Sequence, residues 1–168
     1  DRVYVANRNS DSVSVISGST DTVIATISVG QSPQDVAVNE ATGRIYVVNG
    51  VGDSVSVING ITNIVIDTIS VGDLPMGVAV NEVTDRVYTA NSEGSVSVIN
   101  GITNTVIDTI SMCTACGSWP FPSLRDLAVN EATDRVYVAL GGYDLVSVIN
   151  GSNNTVIHNI SVGQFPNA

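Results

Sequence analysis

The sequence predicts an all-β protein, and three observations support this prediction. The chain of 168 residues is long enough for one domain with a sizeable hydrophobic core. Apolar residues make up 43% of it but aromatic residues only 5%, so much of the apolar content is valine and isoleucine, which favour packed strands. Short candidate strands recur between turn residues about every eight to twelve positions, and helix signals are almost absent.

Four segments of the chain are copies of one another. Each copy has an arginine at the start of an apolar strand, and the spacing of these arginines is 42, 42 and 49 residues: Arg2, Arg44, Arg86 and Arg135. One period contains four candidate strands, here called types A, B, C and D: Gly77–Glu82, Arg44–Asn49, Ser54–Asn59 and Asn63–Val71. A four-stranded unit with this period predicts a β-propeller of antiparallel blades, with type A innermost. The alternation of serine and valine in type C predicts a partly exposed strand.

The chain is predicted to form a single propeller repeat domain, residues 1–168, with four units of approximately 1–34, 35–76, 77–125 and 126–168. The first unit has types B, C and D but lacks the innermost type A. An unpaired strand edge promotes aggregation. We therefore expect either an excerpt of a longer array or a unit that another chain completes.

The repeat resembles a known family in its type B and type C strands. Tyr4–Asn7, Tyr46–Asn49 and Tyr88–Asn91 read YVAN, YVVN and YTAN, and each is followed by SVSVI. With the later Val-Ala-Val-Asn segments, these motifs resemble the YVTN-type β-propeller repeat of archaeal and bacterial surface-layer and secreted proteins. The resemblance implies a seven- or eight-bladed propeller in typical members, often within a large cell-surface protein. The fourth copy departs from the motif, because Tyr137–Leu140 ends in leucine.

The charge of the chain argues against some classes of partner. Sixteen acidic residues face six basic ones, all six of them arginine, for a net charge of −10. Such a charge repels phosphate backbones and anionic lipid, so we expect no nucleic-acid partner. No apolar run approaches the roughly 18 residues of a transmembrane helix, so we expect no direct membrane insertion.

No constellation of residues predicts catalysis, a cofactor or a metal site, and the sequence therefore predicts a protein that is not an enzyme. The single histidine, His158, falls on an outermost strand, where a general base would lack a cleft. Asp11, Asp53 and Asp144 lie in loops between types B and C without the spacing of a calcium loop. Glu40 precedes Arg44 by four residues, which favours an ion pair across the hairpin.

An insert before the fourth unit breaks the repeat. It carries both cysteines, Cys113 and Cys116, and two aromatic residues, Trp119 and Phe121. The cysteine pair could form a local disulfide, which is the leading interpretation, or stay as free thiols, or share a metal between chains. Trp119 and Phe121 are candidate interaction anchors on a stiff loop, with folding back onto the same blade as the alternative for Trp119.

Three glycosylation sequons occur, all in the fourth unit. They begin at Asn150, Asn153 and Asn159. Together with the family resemblance and the lysine-free composition, they favour an extracellular or cell-surface location.

Two classes of function fit the sequence. The first is a structural or interaction module, such as a surface-layer, adhesin or extracellular fibre component that assembles through its blades and loops. Its partners would be further copies of itself, other cell-surface proteins or glycans. The second is a lyase-like propeller enzyme or small-ligand binder that uses the central channel, for which the inner strands offer Asp35 and Asp126.

Overall fold

The computed structural model describes residues 1–112 and 123–167, and these residues form almost entirely β-structure. Two short 3-10 turns, Arg8–Ser10 and Glu131–Thr133, are the helical elements of this part of the chain. The strands are β1 (Arg2–Asn7), β2 (Ser12–Ser17), β3 (Thr22–Ser28), β4 (Pro33–Asn39), β5 (Arg44–Asn49), β6 (Ser54–Asn59), β7 (Ile64–Ser70), β8 (Pro75–Asn81), β9 (Arg86–Asn91), β10 (Ser95–Asn100), β11 (Thr105–Ser111), β12 (Leu124–Asn130), β13 (Arg135–Leu140), β14 (Leu145–Asn150) and β15 (Thr155–Ser161).

The strands form four antiparallel sheets in chain order. Sheet 1 contains β1 to β3, sheet 2 contains β4 to β7, sheet 3 contains β8 to β11, and sheet 4 contains β12 to β15. Each strand pairs with the strands that precede and follow it in its own sheet. The prediction of an all-β fold with four-stranded units, the first of them lacking its inner strand, is confirmed.

Short polar turns set the strand register. In sheet 2, Asn39 lies opposite Arg44 across one hairpin, and Asn49 lies opposite Ser54 across the next. The residue before the second strand of many hairpins has a positive φ, as in Asp53 at 45°. Aspartate and asparagine tolerate this left-handed conformation better than other residues with a Cβ, which explains their recurrence at these turns.

The core lies between successive sheets rather than inside any one of them. Val13 and Val15 of sheet 1 are fully buried in a cluster with Ile45 and Val47 of sheet 2, and equivalent clusters join sheets 2 and 3 and sheets 3 and 4. We call the face that a sheet turns to the next sheet its forward face, and the opposite one its backward face. Each internal forward face is thus covered by the backward face of its successor.

The prediction that type C strands are partly exposed is wrong. Ser54 and Ser56 of β6 are only 7% and 1% exposed. Asn49 on the neighbouring strand donates from Nδ2 to the hydroxyl oxygens of both serines, at 3.2 and 3.0 Å. Because these hydrogen bonds satisfy the hydroxyl groups, the serine face can be buried as deeply as the valine face.

Candidate functional site: the faces of the stacked sheets

The first arginine of each repeat reaches across to the next sheet. Arg44 donates from Nη1 to the carbonyl oxygen of Gly101 and to Oδ1 of Asn104, which lies 3.4 Å away. Arg2 and Arg86 make the same pair of contacts in the preceding and following interfaces. Three successive interfaces therefore share one polar contact, with a guanidinium on the forward face and two oxygen acceptors on the backward face.

The glutamates after the inner strands also link successive sheets. Oε1 of Glu82 accepts a hydrogen bond from the backbone N–H of Glu40, and Oε1 of Glu131 accepts one from the N–H of Glu82, both at 2.7 Å. The expected hairpin ion pair between Glu40 and Arg44 is wrong, because Arg44 extends instead to the carbonyl group of the next sheet. A carboxylate that accepts from an N–H forms one of the stronger types of hydrogen bond.

A third polar contact is formed by the last residue of each inner strand. Nδ2 of Asn39 donates to Oδ1 of Asp85 at 2.8 Å, and Nδ2 of Asn81 donates to Oδ1 of Asp134 at 2.9 Å. As with the arginines, the donor lies on the forward face and the acceptor on the backward face. The stacking of the sheets thus has a fixed direction.

The forward face of sheet 4 carries the donor half of these contacts. Arg135 is exposed, whereas its counterparts Arg44 and Arg86 are half-buried. Within the described residues Arg135 has no hydrogen-bond or ion-pair partner. Oδ1 of Asn130 accepts a hydrogen bond from the N–H of Thr133. No described residue accepts a hydrogen bond from Nδ2 of Asn130. Two donors are therefore unpaired on this face.

The backward face of sheet 1 carries the acceptor half. In sheet 2 the two acceptors of Arg2 are the carbonyl oxygen of Gly60 and Oδ1 of Asn63. The equivalent residues of sheet 1, one repeat earlier in the chain, are Gly18 and Asp21. Asp21 is exposed, and its carboxylate has no partner among the residues that the structure describes. At this one position of the repeat an acidic side chain therefore replaces asparagine.

The apolar part of the backward face of sheet 1 is also uncovered. Val3 and Val5 are 52% and 39% exposed, whereas their counterparts in sheet 2, Ile45 and Val47, are 1% and 0% exposed. On the forward face of sheet 4, Ile160 is 46% exposed, against 5% for its counterpart Ile69. Both outer faces carry apolar residues of the kinds that pack together between the internal sheets.

Two tyrosines of the internal interfaces are buried completely. The hydroxyl groups of Tyr46 and Tyr88 have no hydrogen-bond partner among the residues that the structure describes. Burial raises the pKa of each to about 12. The nearby charge of Asp85 adds to the rise at Tyr46, whereas at Tyr88 the charge of Arg86 opposes the rise more than that of Asp134 adds to it. These side chains therefore stay neutral well above the ordinary range of tyrosine.

On the inner strands, two carboxylates lie on either side of Gly77. Asp35 accepts from the backbone N–H of Val78 at 2.9 Å, and a Cβ added at Gly77 would lie 2.6 Å from Oδ1 of Asp126. Burial raises the pKa of Asp35 and the charge of Asp126 adds to the rise, although hydrogen bonds from Val78 and Val36 oppose it.

The predicted site residues of the insert, Cys113, Cys116, Trp119 and Phe121, lie outside the described residues. The sequons are described. Asn153 is exposed in a turn, and its Oδ1 accepts from Thr155 N at 3.2 Å and Thr155 Oγ1 at 2.7 Å.

The other two sequon asparagines are held differently. Asn150 is half-buried and accepts from Ser152 N at 2.9 Å. Asn159 lies in β15 and accepts from Ser147 Oγ at 2.7 Å. His158, next to Asn159, is exposed on the outer strand, as predicted.

Residues 1–112 and 123–167 contain no group of three or more histidine, cysteine, aspartate or glutamate side chains that could hold a metal ion. No helix in the same ranges is long and apolar enough to cross a membrane.

Comparisons with known proteins bear on the fold. No family model and no curated protein matches the chain. Among solved structures, the chain is similar to Kuenenia stuttgartiensis hydrazine synthase, with a TM-score of 0.82 and 24% sequence identity. The fold is β-propeller-like. The match covers 94% of this chain and 45% of the other, so this chain spans less than half the length of the chain it matches.

This likeness corrects one prediction. The sequence predicted a protein that is not an enzyme, yet the similar structure belongs to an enzyme. The absence of a catalytic motif in a repeat is weak ground for that prediction, because active-site residues are grafted onto a fold from separate positions. At 24% identity the likeness shows the fold alone and does not establish that this protein is an enzyme.

Sequence reasoning missed the residues that join the sheets. Asn63, Asn104 and Asn154 accept from the arginines, and Asn49 binds the buried serines. All of them recur at fixed positions of the repeat, and this recurrence was the signal that could have identified them.

Proposed function

We propose that the protein is a structural module that assembles head to tail, with the forward face of sheet 4 of one copy docking on the backward face of sheet 1 of another. The observation that carries the proposal is the unpaired contact at the two ends. Within the described part of the chain, Arg135 is a donor without an acceptor, and Gly18 with Asp21 forms an acceptor without a donor.

Charge favours this pairing over a random contact between copies. Inside the chain the arginines meet an asparagine oxygen, whereas at the outer face Arg135 would meet the carboxylate of Asp21. A hydrogen bond between two charged groups is stronger than one to a neutral amide. Opposite charges on the two faces also fix their orientation as they approach.

Apolar burial adds the second contribution. Docking would cover Val3 and Val5 of one copy and Ile160 of the other, as the internal interfaces cover their counterparts. Burying apolar surface contributes roughly 25 cal/mol per Å² before the cost of association is subtracted. Because the two faces differ, the contact is heterologous and produces either a closed ring or an open filament.

Features of the sequence also favour a location for this assembly. The YVTN-type motifs at Tyr4–Asn7, Tyr46–Asn49 and Tyr88–Asn91 resemble repeats of surface-layer and secreted proteins. The acidic, lysine-free composition fits a cell-surface location, and the sequons fit it as well. We therefore propose a surface-layer, adhesin or extracellular fibre component whose first partner is a second copy of itself.

Sedimentation velocity over a series of protein concentrations tests the proposal. The unmodified protein should shift to larger species as its concentration rises, whereas Arg135→Ala should stay monomeric under the same conditions. Arg8→Ala is the matched control, because Arg8 is also exposed but contacts Ser32 within its own chain. Equal behaviour of Arg135→Ala and the unmodified protein would contradict the proposal.

A further inference from the structure

The most exposed aliphatic side chains in the described part of the chain are Ile61, Val83 and Ile102, which are 84%, 76% and 72% exposed. Ile61 and Ile102 lie in the β6–β7 and β10–β11 turns, and Val83 lies in the β8–β9 turn. All three turns are at the end of sheets 2 and 3 opposite to the loops that connect one sheet to the next. These three residues are here called the turn-end patch.

Hydrogen bonds join the turns that carry the patch. The N–H of Gly101 donates to the carbonyl oxygen of Asp85 at 2.8 Å, which ties the β10–β11 turn to the β8–β9 turn. Arg44 lies opposite Asn59, at the start of the β6–β7 turn, and its Nη1 donates to the carbonyl oxygen of Gly101. The three turns are therefore held together as one surface on two neighbouring sheets.

The apolar character of the patch is not required by the turns themselves. Sheets 1 and 4 have serine at the position that isoleucine occupies in the patch: Ser19 and Ser152. The residue two positions later has the left-handed conformation in all four turns: Asp21, Asn63, Asn104 and Asn154. Serine therefore supports the same turn as isoleucine. Exposed apolar residues confined to two neighbouring sheets indicate a contact surface.

The charged residues around the patch are mostly acidic. Two arginines lie there, Arg44 and Arg86, and both are half-buried and donate to oxygen atoms of the next sheet. Four carboxylates lie at the same end of sheets 2 and 3: Asp67, Glu82, Asp85 and Asp108.

One of these carboxylates lies directly beside the patch. Oδ2 of Asp67 accepts from Nδ2 of Asn104 at 3.0 Å, in the turn that carries Ile102. With a net charge of −10 on the whole chain, this surface attracts cationic groups and repels a second copy of the chain. The complementary partner is therefore basic.

We propose that the turn-end patch binds a segment of a partner polypeptide in which apolar side chains are flanked by lysine or arginine. The apolar side chains pack on Ile61, Val83 and Ile102, and their burial supplies the affinity. The flanking cations lie against the surrounding carboxylates and select the orientation of the segment.

This inference is separate from the proposed self-assembly. The patch lies on the turns of sheets 2 and 3, whereas head-to-tail docking uses the broad faces of sheets 1 and 4. The two proposals can therefore fail separately, and each has its own measurement.

A labelled peptide of the stated chemistry tests the inference. The probe is a fluorescein-labelled synthetic peptide of sequence KRILGLIRK, titrated with the whole protein and followed by fluorescence anisotropy. We expect saturable binding below about 1 mM protein. The comparison peptides KRSSGSSRK and EEILGLIEE should each bind at least about tenfold more weakly, because the first lacks the apolar side chains and the second has the opposite charge.

Two protein variants provide the matched comparison. Ile61→Ser combined with Ile102→Ser should weaken the binding of KRILGLIRK roughly tenfold or more, since it removes most of the apolar surface of the patch. The turns should persist in this variant, because sheets 1 and 4 form them with serine. Val51→Ser should leave binding unchanged, because Val51 is also exposed but lies at the opposite end of sheet 2.

Four results would each overturn the inference. They are no saturation up to about 1 mM protein, equal binding of either comparison peptide, equal binding by the double serine variant, and loss of self-association of that variant in sedimentation velocity. The last result would mean that the patch is a contact between copies and does not serve a basic partner.

Discussion

Asn49 is fully buried, and its Nδ2 donates to Oγ of Ser56 on the adjacent strand at 3.0 Å. Sheets 1 and 3 repeat the relationship with Asn7 and Ser14, and with Asn91 and Ser97. In sheet 4 a leucine pair, Leu140 opposite Leu145, stands at the positions that Asn49 and Ser54 occupy in sheet 2. Each sheet therefore carries at the positions of Asn49 and Ser54 either two polar residues or two leucines, although Oδ1 of Asn49 has no hydrogen-bond partner among the described residues.

Removal of this amide should destabilise the protein. Asn49→Ala removes the only donor to the hydroxyl group of Ser54 among the described residues and leaves Ser56 with the N–H of Gly30 alone, so we expect the free energy of unfolding to fall by about 1 to 3 kcal/mol. Urea denaturation followed by circular dichroism measures the change.

The leucine pair of sheet 4 supplies the control for this variant. Asn49→Leu combined with Ser54→Leu should be more stable than Asn49→Leu alone, because the double change replaces both polar partners with apolar ones. A double variant that is no more stable than the single one would contradict this explanation of the sheet 4 sequence.

The buried tyrosines predict a loss of stability at alkaline pH. The pKa of Tyr46 and Tyr88 is about 12 in the folded protein, and that of an exposed tyrosine is about 10. A group with a raised folded pKa contributes stability that is complete below the unfolded pKa and is lost as pH rises through the folded one. Stability should therefore fall between about pH 10 and pH 12.

Phenylalanine variants isolate this effect. Tyr46→Phe and Tyr88→Phe remove buried hydroxyl groups that bond to nothing in residues 1–112 and 123–167, so stability at pH 7 should be unchanged or higher. Urea denaturation at pH 7 and at pH 11 should show a smaller alkaline loss in the double variant than in the unmodified protein. A large loss of stability at pH 7 would show instead that the hydroxyl groups are bonded.

Of the three sequons, Asn153 is the best acceptor for a glycan. It is exposed in a turn, and its hydrogen bonds with Thr155 use Oδ1 and leave Nδ2 accessible. After expression in a secretory host, mass spectrometry should find a glycan that disappears in Asn153→Gln. Asn150→Gln is the control, because Asn150 is half-buried and should carry no glycan. An unmodified Asn153 would contradict the prediction.

The repeat made much of the fold predictable. The regular spacing of Arg2, Arg44 and Arg86 located the sheets, and the predicted type B and type C strands of sheet 2 match β5 and β6 in both bounds. Strand type follows from local patterns of apolar and turn residues, which are present in the sequence itself.

The contacts between sheets could not be predicted in the same way. Glu40 and Arg44 are close in sequence and suggested an ion pair, but each bonds to a neighbouring sheet. Such partners are more than 40 residues apart, and their choice depends on how the sheets stack. The deep burial of Ser56 could not be predicted for the same reason. The alternation of serine and valine does not reveal that a neighbouring sheet covers the serine face as well as the valine face.

Charge exchange between Asp21 and Arg135 tests head-to-tail docking most directly. Asp21→Arg alone and Arg135→Asp alone should each be monomeric in sedimentation velocity, since each places like charges at the contact. Asp73→Arg is the control for the change in net charge, as Asp73 is exposed in the loop that joins sheet 2 to sheet 3. Thermal unfolding of each variant confirms that it folds, because Asp21 has a φ of 53° that arginine tolerates less well.

The decisive sample is a mixture of the two single variants. Both outer faces of each variant are then complementary to the other variant, because the unchanged Arg135 meets the unchanged Asp21 and the two changed faces carry opposite charges. We therefore predict assemblies that contain the two variants in equal amounts, while the double variant assembles as the unmodified protein does. If the mixture stayed monomeric while the unmodified protein assembled, the copies would not dock through Arg135 and Asp21, and the proposed assembly would be wrong.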